Sequence, residues 1–408
     1  MTTTPHVVVV GGSLGALRAA EQLRAGGHAG PITVLGAEAH LPYNRPPLSK
    51  DVLAAGEPLA PAALADRLAF RRRASTADVD FRLGDPVVAS DLRAGVVWTG
   101  SGSATSYDGL VVATGLRPRH LDVSGPALGR HVLRTVEDSH GLRADLERGP
   151  GLRVVVVGAG FIGCESAATL RKLGHEVTVV EPVGSPMERV IGAAVSAAVQ
   201  GHLEAAGIRF VLGTGITGYL GEERVEGVVL GTGRVLPADV VVEAVGSLCN
   251  TEWLAGNGLD LSDGVLTDNR MRVVGAERVV AVGDVARFPN PLFDDVPRRV
   301  EHWSVPTDTA RCAAATLLGD LAGMPPDDEF APVPSFWSDQ LDLRLQSFGS
   351  PALADEVVVE EGDLEHLLDG LLVTYHRQGR HVGTLAVNLS AARQRGLREQ
   401  FSRPVPVA

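Results

Sequence analysis

The first hydrophobic signal is a run of four valines, Val7–Val10, followed by a glycine turn and a segment whose apolar residues recur at helical spacing. A glycine pair breaks that segment, and a second apolar run, Ile32–Leu35, follows. Far along the chain the pattern returns. Val7–His28 reads VVVVGGSLGALRAAEQLRAGGH, and Val154–His175 reads VVVVGAGFIGCESAATLRKLGH, with Val177–Val180 as its second run. Short unbroken apolar runs bounded by turn residues are strands buried on both faces. Each copy therefore predicts strand, glycine turn, helix and strand, the βαβ unit that binds dinucleotides. Two further buried strands are predicted at Leu110–Gly115 (LVVATG) and Val279–Ala286 (VVAVGDVA), the second ending at Gly283-Asp284.

The second copy carries the full fingerprint, Gly158-x-Gly160-x-x-Gly163, with Phe161 and Ile162 between its last two glycines. The first glycine makes the tight turn, the second lets backbone approach a pyrophosphate, and the third lets helix and strand pack closely. The phosphates then lie at a helix N-terminus, where unpaired amides favour an anion. Glu181 ends the following strand, placed to accept hydrogen bonds from a ribose 2′-hydroxyl and to repel a 2′-phosphate. No arginine follows until Arg189, so NADH is expected over NADPH. Arg189 and Gly246 complete the expected NADH site. In the first copy Gly11 is kept, Ser13 and Ala16 stand at the second and third glycine positions, and Leu14 and Gly15 lie between them. Glu38 is the nearest acid after its second strand.

A length of 408 residues suggests two or three domains. The net charge of −12 disfavours nucleic acid and anionic membrane as partners. No apolar run is long enough to span a membrane and no signal peptide precedes Val7, so a cytoplasmic protein is expected. Cys164, Cys249 and Cys312 form no CxxC or CxxxxC pair, and the histidines show no ligand spacing, so neither a disulfide framework nor a metal site is expected. Lysine occurs at two positions only, Lys50 and Lys172. The run Arg71-Arg72-Arg73 reads as a solvated face, with docking of an acidic protein as the alternative.

Taken in order, the degenerate first turn, Thr114-Gly115, the second turn and Gly283-Asp284 resemble the glutathione-reductase-like flavoproteins. Four stretches narrow the resemblance to the FAD-dependent ferredoxin reductases of bacterial oxygenase systems, the putidaredoxin-reductase-like group: YNRPPLSK (Tyr43–Lys50), Leu133-Arg134-Thr135, Glu301-His302-Trp303 and FWSDQ (Phe336–Gln340). The resemblance implies an α/β fold of two Rossmann-like dinucleotide-binding domains, for FAD and NADH, plus a small C-terminal α+β domain. The expected FAD domain is discontinuous, 1–115 and 246–322, with the NADH domain at 116–245 and the C-terminal domain at 323–408 after a proline-rich linker. Strands are expected there at Val357–Val359, Gly370–Tyr375 and His381–Val387. The resemblance places Lys50 beside flavin N5 with Glu165 as its carboxylate partner. It places FAD against Gly11, Ser13, Leu14, Gly15, Ala16, Glu38, Arg45, Val87, Thr114, Gly115, Arg134, Asp284, Trp303 and Trp337.

Two departures stand out. Relatives carry Asn-Ala-x-x-Gln where this chain has Val305-Pro306-x-x-Thr309, and often proline at Cys249. The implied activity is transfer of electrons from NADH through FAD to a small, acidic iron–sulfur ferredoxin serving an oxygenase. Alternatives are a flavoprotein reductase or oxidase with another acceptor and a slow-turnover redox-signalling flavoprotein. Disulfide, peroxide and thioredoxin-type reductases need a redox cysteine near the flavin or a CxxC; Asn44-Arg45 and three isolated cysteines argue against them.

Overall fold

The computed structural model describes residues 4–54, 59–324 and 329–401. The chain forms two compact units. The first comprises Met1–Asn44, Ala62–Arg117 and Leu248–Ser335; the second comprises Arg45–Pro61, Pro118–Ser247 and Phe336–Ala408.

In the first unit, β1 (Val7–Val10), α1 (Leu14–Ala25) and β2 (Ile32–Gly36) follow one another, and β3 (Gly109–Val112) arrives later. The sheet order is Val279–Ala281, β3, β1, β2, Asp80–Leu83, every pair parallel. All four valines of β1 and all four residues of β3 are buried, which is why these strands read as unbroken apolar runs. An antiparallel three-stranded sheet, Val87–Asp91, Val96–Thr99 and Ala104–Ser106, precedes β3. The helix Val305–Ala322 packs on α1 and shares its core.

The second unit repeats this plan. Helix α2 (Val136–Leu146) starts at a capping box in which Thr135 and Asp138 satisfy each other's backbone amides. Then come β4 (Arg153–Val157), α3 (Phe161–Lys172), β5 (Glu176–Glu181) and β6 (Val240–Glu243). The parallel sheet runs Arg209–Leu212, β5, β4, β6, Arg130–His131. Again an antiparallel three-stranded sheet, Ile216–Leu220, Gly227–Leu230 and Val235–Pro237, precedes the last strand. The C-terminal residues form a five-stranded sheet in the order β7 (Ser335–Gln340), Leu343–Gly349, Arg380–Val387, Leu371–Arg377, Glu356–Glu361. The three strands expected there are present, and β7 and Leu343–Gly349 add two that the sequence pattern did not announce. Within the expected linker, residues 325–328 lie outside the described residues.

Besides the expected linker, whose described residues count with the first unit, these units differ from the sequence division in two places. The C-terminal sheet counts with the NADH-type βαβ unit, and so does the segment 45–61, which sequence order puts in the first domain. Backbone polar groups explain the second difference. The carbonyl of Leu48 accepts from Ser139 at 3.1 Å, that of Ser49 from Thr169 at 2.9 Å, and that of Leu53 from Arg143 at 2.9 Å. Side chains of α2 and α3 thus satisfy carbonyls that a buried loop would otherwise leave unpaired.

Candidate active site

In the first unit, the turn after β1 needs its glycine. Gly11 has φ +131°, and a Cβ there would meet the carbonyl oxygen of Ala113 at 2.1 Å. Ser13 stands at the N-cap of α1 with Leu14, Gly15 and Ala16 in its first turn, so the helix's unpaired amides gather at this end. A Cβ on Gly15 would meet Val282 at 3.3 Å, whereas Ala16 is fully buried at a position where the fold tolerates alanine in place of the third glycine. Glu38 lies just past β2 and accepts a hydrogen bond from the Tyr43 hydroxyl at 2.5 Å.

The strand predicted to reach Gly115 stops at Val112. Thr114 leaves it to donate to the Asn250 carbonyl at 2.7 Å, and Gly115 takes φ +59°. Val279–Ala281 likewise ends early, and Asp284 sits in the single 3-10 turn Gly283–Val285. The Val305-Pro306 departure falls in the first turn of the helix Val305–Ala322, where a missing amide costs nothing. Thr309 accepts a hydrogen bond from the Gly283 amide at 3.0 Å, so the substituted position braces the Asp284 turn. Trp303 packs beside Phe70, ring centroids 6.2 Å apart, and Val87 pairs with Thr99 at a sheet edge.

In the second unit the three fingerprint glycines separate into two kinds. Gly158, at φ +101°, would place a Cβ 2.3 Å from the Ala244 carbonyl oxygen, and Gly163 would place one 2.0 Å from the carbonyl oxygen of Gly158. A Cβ on Gly160 would meet nothing within 4 Å. The fold needs the first and third glycines; the second leaves an open cradle at the start of α3, which fits a pyrophosphate. Glu181 braces this turn, accepting from the Ala159 amide at 2.9 Å and the Val183 amide at 3.0 Å. Ile162 is 47% exposed at the same helix end, Phe161 packs on Phe336, and Arg189 is exposed. Gly246, at φ +94°, follows β6 and its carbonyl accepts from Arg119.

The second unit also brings Lys50 and Glu165 together. Pro46 and Pro47 preset a 3-10 turn, Pro46–Ser49, and Lys50 follows as its C-cap. The Lys50 ammonium lies 3.0 Å from Glu165 Oε1 and 3.6 Å from Asp339 Oδ2. The Lys50 and Glu165 side chains are 17% and 6% exposed, so this pair is held largely out of water. Ser338 donates to Glu165 Oε1 at 2.8 Å and Ser49 to Oε2 at 3.1 Å. Arg45 donates to the Arg134 carbonyl at 2.7 Å, which ties the start of the Lys50 segment to the approach to α2. Trp337 is half-buried on β7. Ser49, Ser338, Asp339 and Gln340 were not singled out from sequence, although each lies within RPPLSK or FWSDQ.

Burial raises the pKa of all three cysteine thiols. All three are free thiols. Burial, reinforced by Glu165 and Glu181, pushes the Cys164 thiol far above its usual range, and its Sγ donates to the Ala159 carbonyl. Burial pushes Cys312 up to about 11. Among the described residues, no group of three or more His, Cys, Asp or Glu side chains could hold a metal ion, and no helix is long and apolar enough to cross a membrane. In the Arg71–Arg73 run, Arg72 lies over the Phe81 ring at 5.2 Å and Arg73 reaches buried Glu21 at 3.6 Å.

Two family models match the chain: "Pyridine nucleotide-disulphide oxidoreductase" over residues 5–310 and "Reductase C-terminal" over residues 335–404. Rhodocoxin reductase of Rhodococcus erythropolis is 37% identical over 363 residues, covering 86% of this chain and 80% of that protein. The ferredoxin–NAD(+) reductase component of the anthranilate 1,2-dioxygenase system of Burkholderia cepacia is 37% identical over 371 residues, covering 89% and 86%. Among solved structures, the covalent putidaredoxin reductase–putidaredoxin complex superposes with a TM-score of 0.87 at 31% identity, covering 98% of this chain and 93% of that one.

Proposed function

The chain belongs to the pyridine nucleotide-disulphide oxidoreductase family, in its branch of oxygenase-system ferredoxin reductases, and on that footing we propose that it carries electrons from NADH through FAD to a small iron–sulfur ferredoxin. The single observation that carries this reading is the largely buried Lys50–Glu165 pair, joined to a complete dinucleotide turn on the same helix. The family likeness covers nearly the whole chain, and three free cysteines with no CxxC or CxxxxC spacing support a ferredoxin rather than a disulfide as acceptor.

The reaction balances simply. One NADH gives up a hydride, two ferredoxins take one electron each, and one proton is released. Bound FAD supplies the exchange between the two-electron and one-electron halves. We assign FAD to the domain made of 1–115 and 246–322, where Gly11, Glu38 and Asp284 would hold it, and NADH to 116–245, where Gly160 and Glu181 would. Gly160 gives backbone amides at the start of α3 access to the pyrophosphate. Glu181, already fixed by two backbone amides, presents its carboxylate toward the ribose and disfavours a 2′-phosphate. Lys50 supplies a fixed cation where negative charge builds up on reduction, in a setting dry enough for that charge to count. Glu165 orients Lys50 and the arriving nicotinamide. We place the protein in the cytoplasm, which its three free cysteines support.

The test is an anaerobic titration with NADH followed by turnover with candidate ferredoxins. Bleaching of a yellow protein by NADH and onward reduction of a ferredoxin support the assignment. Bleaching without transfer to any ferredoxin removes the partner, and a colourless protein that takes up no FAD removes the whole reading.

A further inference from the structure

We propose that Ser338 and Gln340 are positioning residues that aim the Glu165 carboxylate and, through it, the Lys50 ammonium. The inference deepens the reading just given and rests on it. On β7 the inward positions are Phe336, Ser338 and Gln340, and the outward ones include Trp337 and Asp339. Ser338 and Gln340 are both fully buried. Polar side chains in such places destabilise unless they meet partners, and an apolar pair would fill the space without that cost.

The partners form one chain. Gln340 Nε2 donates to Ser338 Oγ at 3.1 Å and to the Met187 sulfur at 3.2 Å. Ser338 Oγ donates to Glu165 Oε1 at 2.8 Å, the oxygen that also faces Lys50 at 3.0 Å. A hydroxyl that accepts from an amide keeps its own proton for the opposite side. The glutamine therefore turns the serine proton toward the carboxylate, and successive bonds of this kind polarise one another. With the amide reversed, its oxygen would face the serine oxygen and draw that proton away from Glu165.

The glutamine stays despite a penalty, because its Oε1 is buried with no partner among the described residues. At its far end the chain reaches the nucleotide turn. Met187 is held in the left-handed region at φ 57°, and its amide donates to the Ala159 carbonyl at 2.9 Å. Ala159 lies between Gly158 and Gly160, so one line of contacts runs from the pyrophosphate cradle to the Lys50 ammonium.

The experiment uses FAD-loaded protein carrying Ser338→Ala, Ser338→Thr or Gln340→Met, each also combined with Glu165→Gln. The readouts are the limiting rate of flavin reduction by NADH in stopped flow, NAD+ affinity by titration of the visible flavin spectrum, FAD content and thermal midpoint. Ser338→Ala and Gln340→Met are expected to lower the limiting rate about ten-fold or more, with NAD+ affinity within about two-fold and FAD retained. Ser338→Thr, which keeps the hydroxyl, restores the rate. In the Glu165→Gln background the same changes alter the rate less than about two-fold, because the carboxylate they aim is gone. Equal losses in both backgrounds, or no loss in either, overturn the proposal. So does loss of FAD or early melting with an unchanged rate in the remaining loaded protein, which assigns a packing role instead. If NADH reduces the wild type while the variants are unaffected, only the positioning proposal falls; if NADH does not reduce the wild type, the functional reading falls with it.

Discussion

Replacing Gly160 by alanine separates what the fold requires from what a nucleotide requires. Gly160 has φ −73° and ψ −176°, which any residue adopts, and a Cβ there meets nothing within 4 Å. For the empty protein, Gly160→Ala should therefore be close to neutral, the roughly 0.4–1 kcal/mol gained from a less free unfolded chain being offset by a loss of about 0.5–1 kcal/mol for alanine at the N-cap of α3. Binding should suffer instead. If the pyrophosphate rests on this backbone, the added methyl displaces it and lengthens one or two charge-assisted bonds, each worth about 1.5–3 kcal/mol. A loss of about 3 kcal/mol is roughly a hundred-fold in affinity. Gly163→Ala makes the contrast, because its Cβ would lie 2.0 Å from the Gly158 carbonyl oxygen and folding itself should suffer. Calorimetric titration with NAD+ beside a thermal melt reads both effects. A Gly160→Ala protein that binds NAD+ within about two-fold of wild type refutes the cradle, and one that loses as much stability as Gly163→Ala refutes the packing argument.

Lys50→Met should slow flavin reduction by NADH while FAD stays bound, because the cation is lost without loss of volume. Stability should fall toward the low end of the roughly 3–5 kcal/mol seen when one member of a buried pair is removed, since Ser49 and Ser338 still donate to Glu165; a wild-type reduction rate would make Lys50 a bystander. Glu181→Ala should narrow the preference for NADH over NADPH by about 1–3 kcal/mol, measured as the ratio of kcat/KM for the two nucleotides, and an unchanged ratio would remove Glu181 from nucleotide choice. Burial depresses His302 to about 4, so between about 4 and its ordinary 6.5 the unfolded chain binds the extra proton. Stability is then complete above about pH 6.5 and falls as pH drops toward 4, by at most about 3 kcal/mol. Chemical denaturation across that range should show the slope, and His302→Gln should flatten it.

The two βαβ copies were legible because buried parallel strands are apolar throughout and the glycine turns repeat at matching positions. Their boundaries were legible to within a residue or two: Val154–Val157 became Arg153–Val157, and Ile32–Leu35 became Ile32–Gly36. LVVATG ran too long because its last residues are not ladder residues; Thr114 spends its hydroxyl on Asn250. The antiparallel sheet between the repeats was silent, since a strand such as Val87–Asp91 is largely exposed and carries no apolar alternation. For FWSDQ the usual rule points the wrong way, because the buried face carries serine and glutamine. The placement of residues 45–61 was invisible for another reason. It rests on hydrogen bonds between residues 91 and 120 positions apart, and no local pattern records those.

That placement governs how the molecule can be recombined. A chimera that transplants residues 116–245 from a relative, as sequence order invites, would leave the carbonyls of Leu48, Ser49 and Leu53 dependent on donors from a foreign α2 and α3. It would also part Glu165 from the Lys50 and Ser338 with which it is matched. If the second unit holds NADH as proposed, the block to exchange for altering coenzyme preference is the RPPLSK segment, 118–247 and the strand bearing FWSDQ together, because the Lys50 ammonium meets partners from all three.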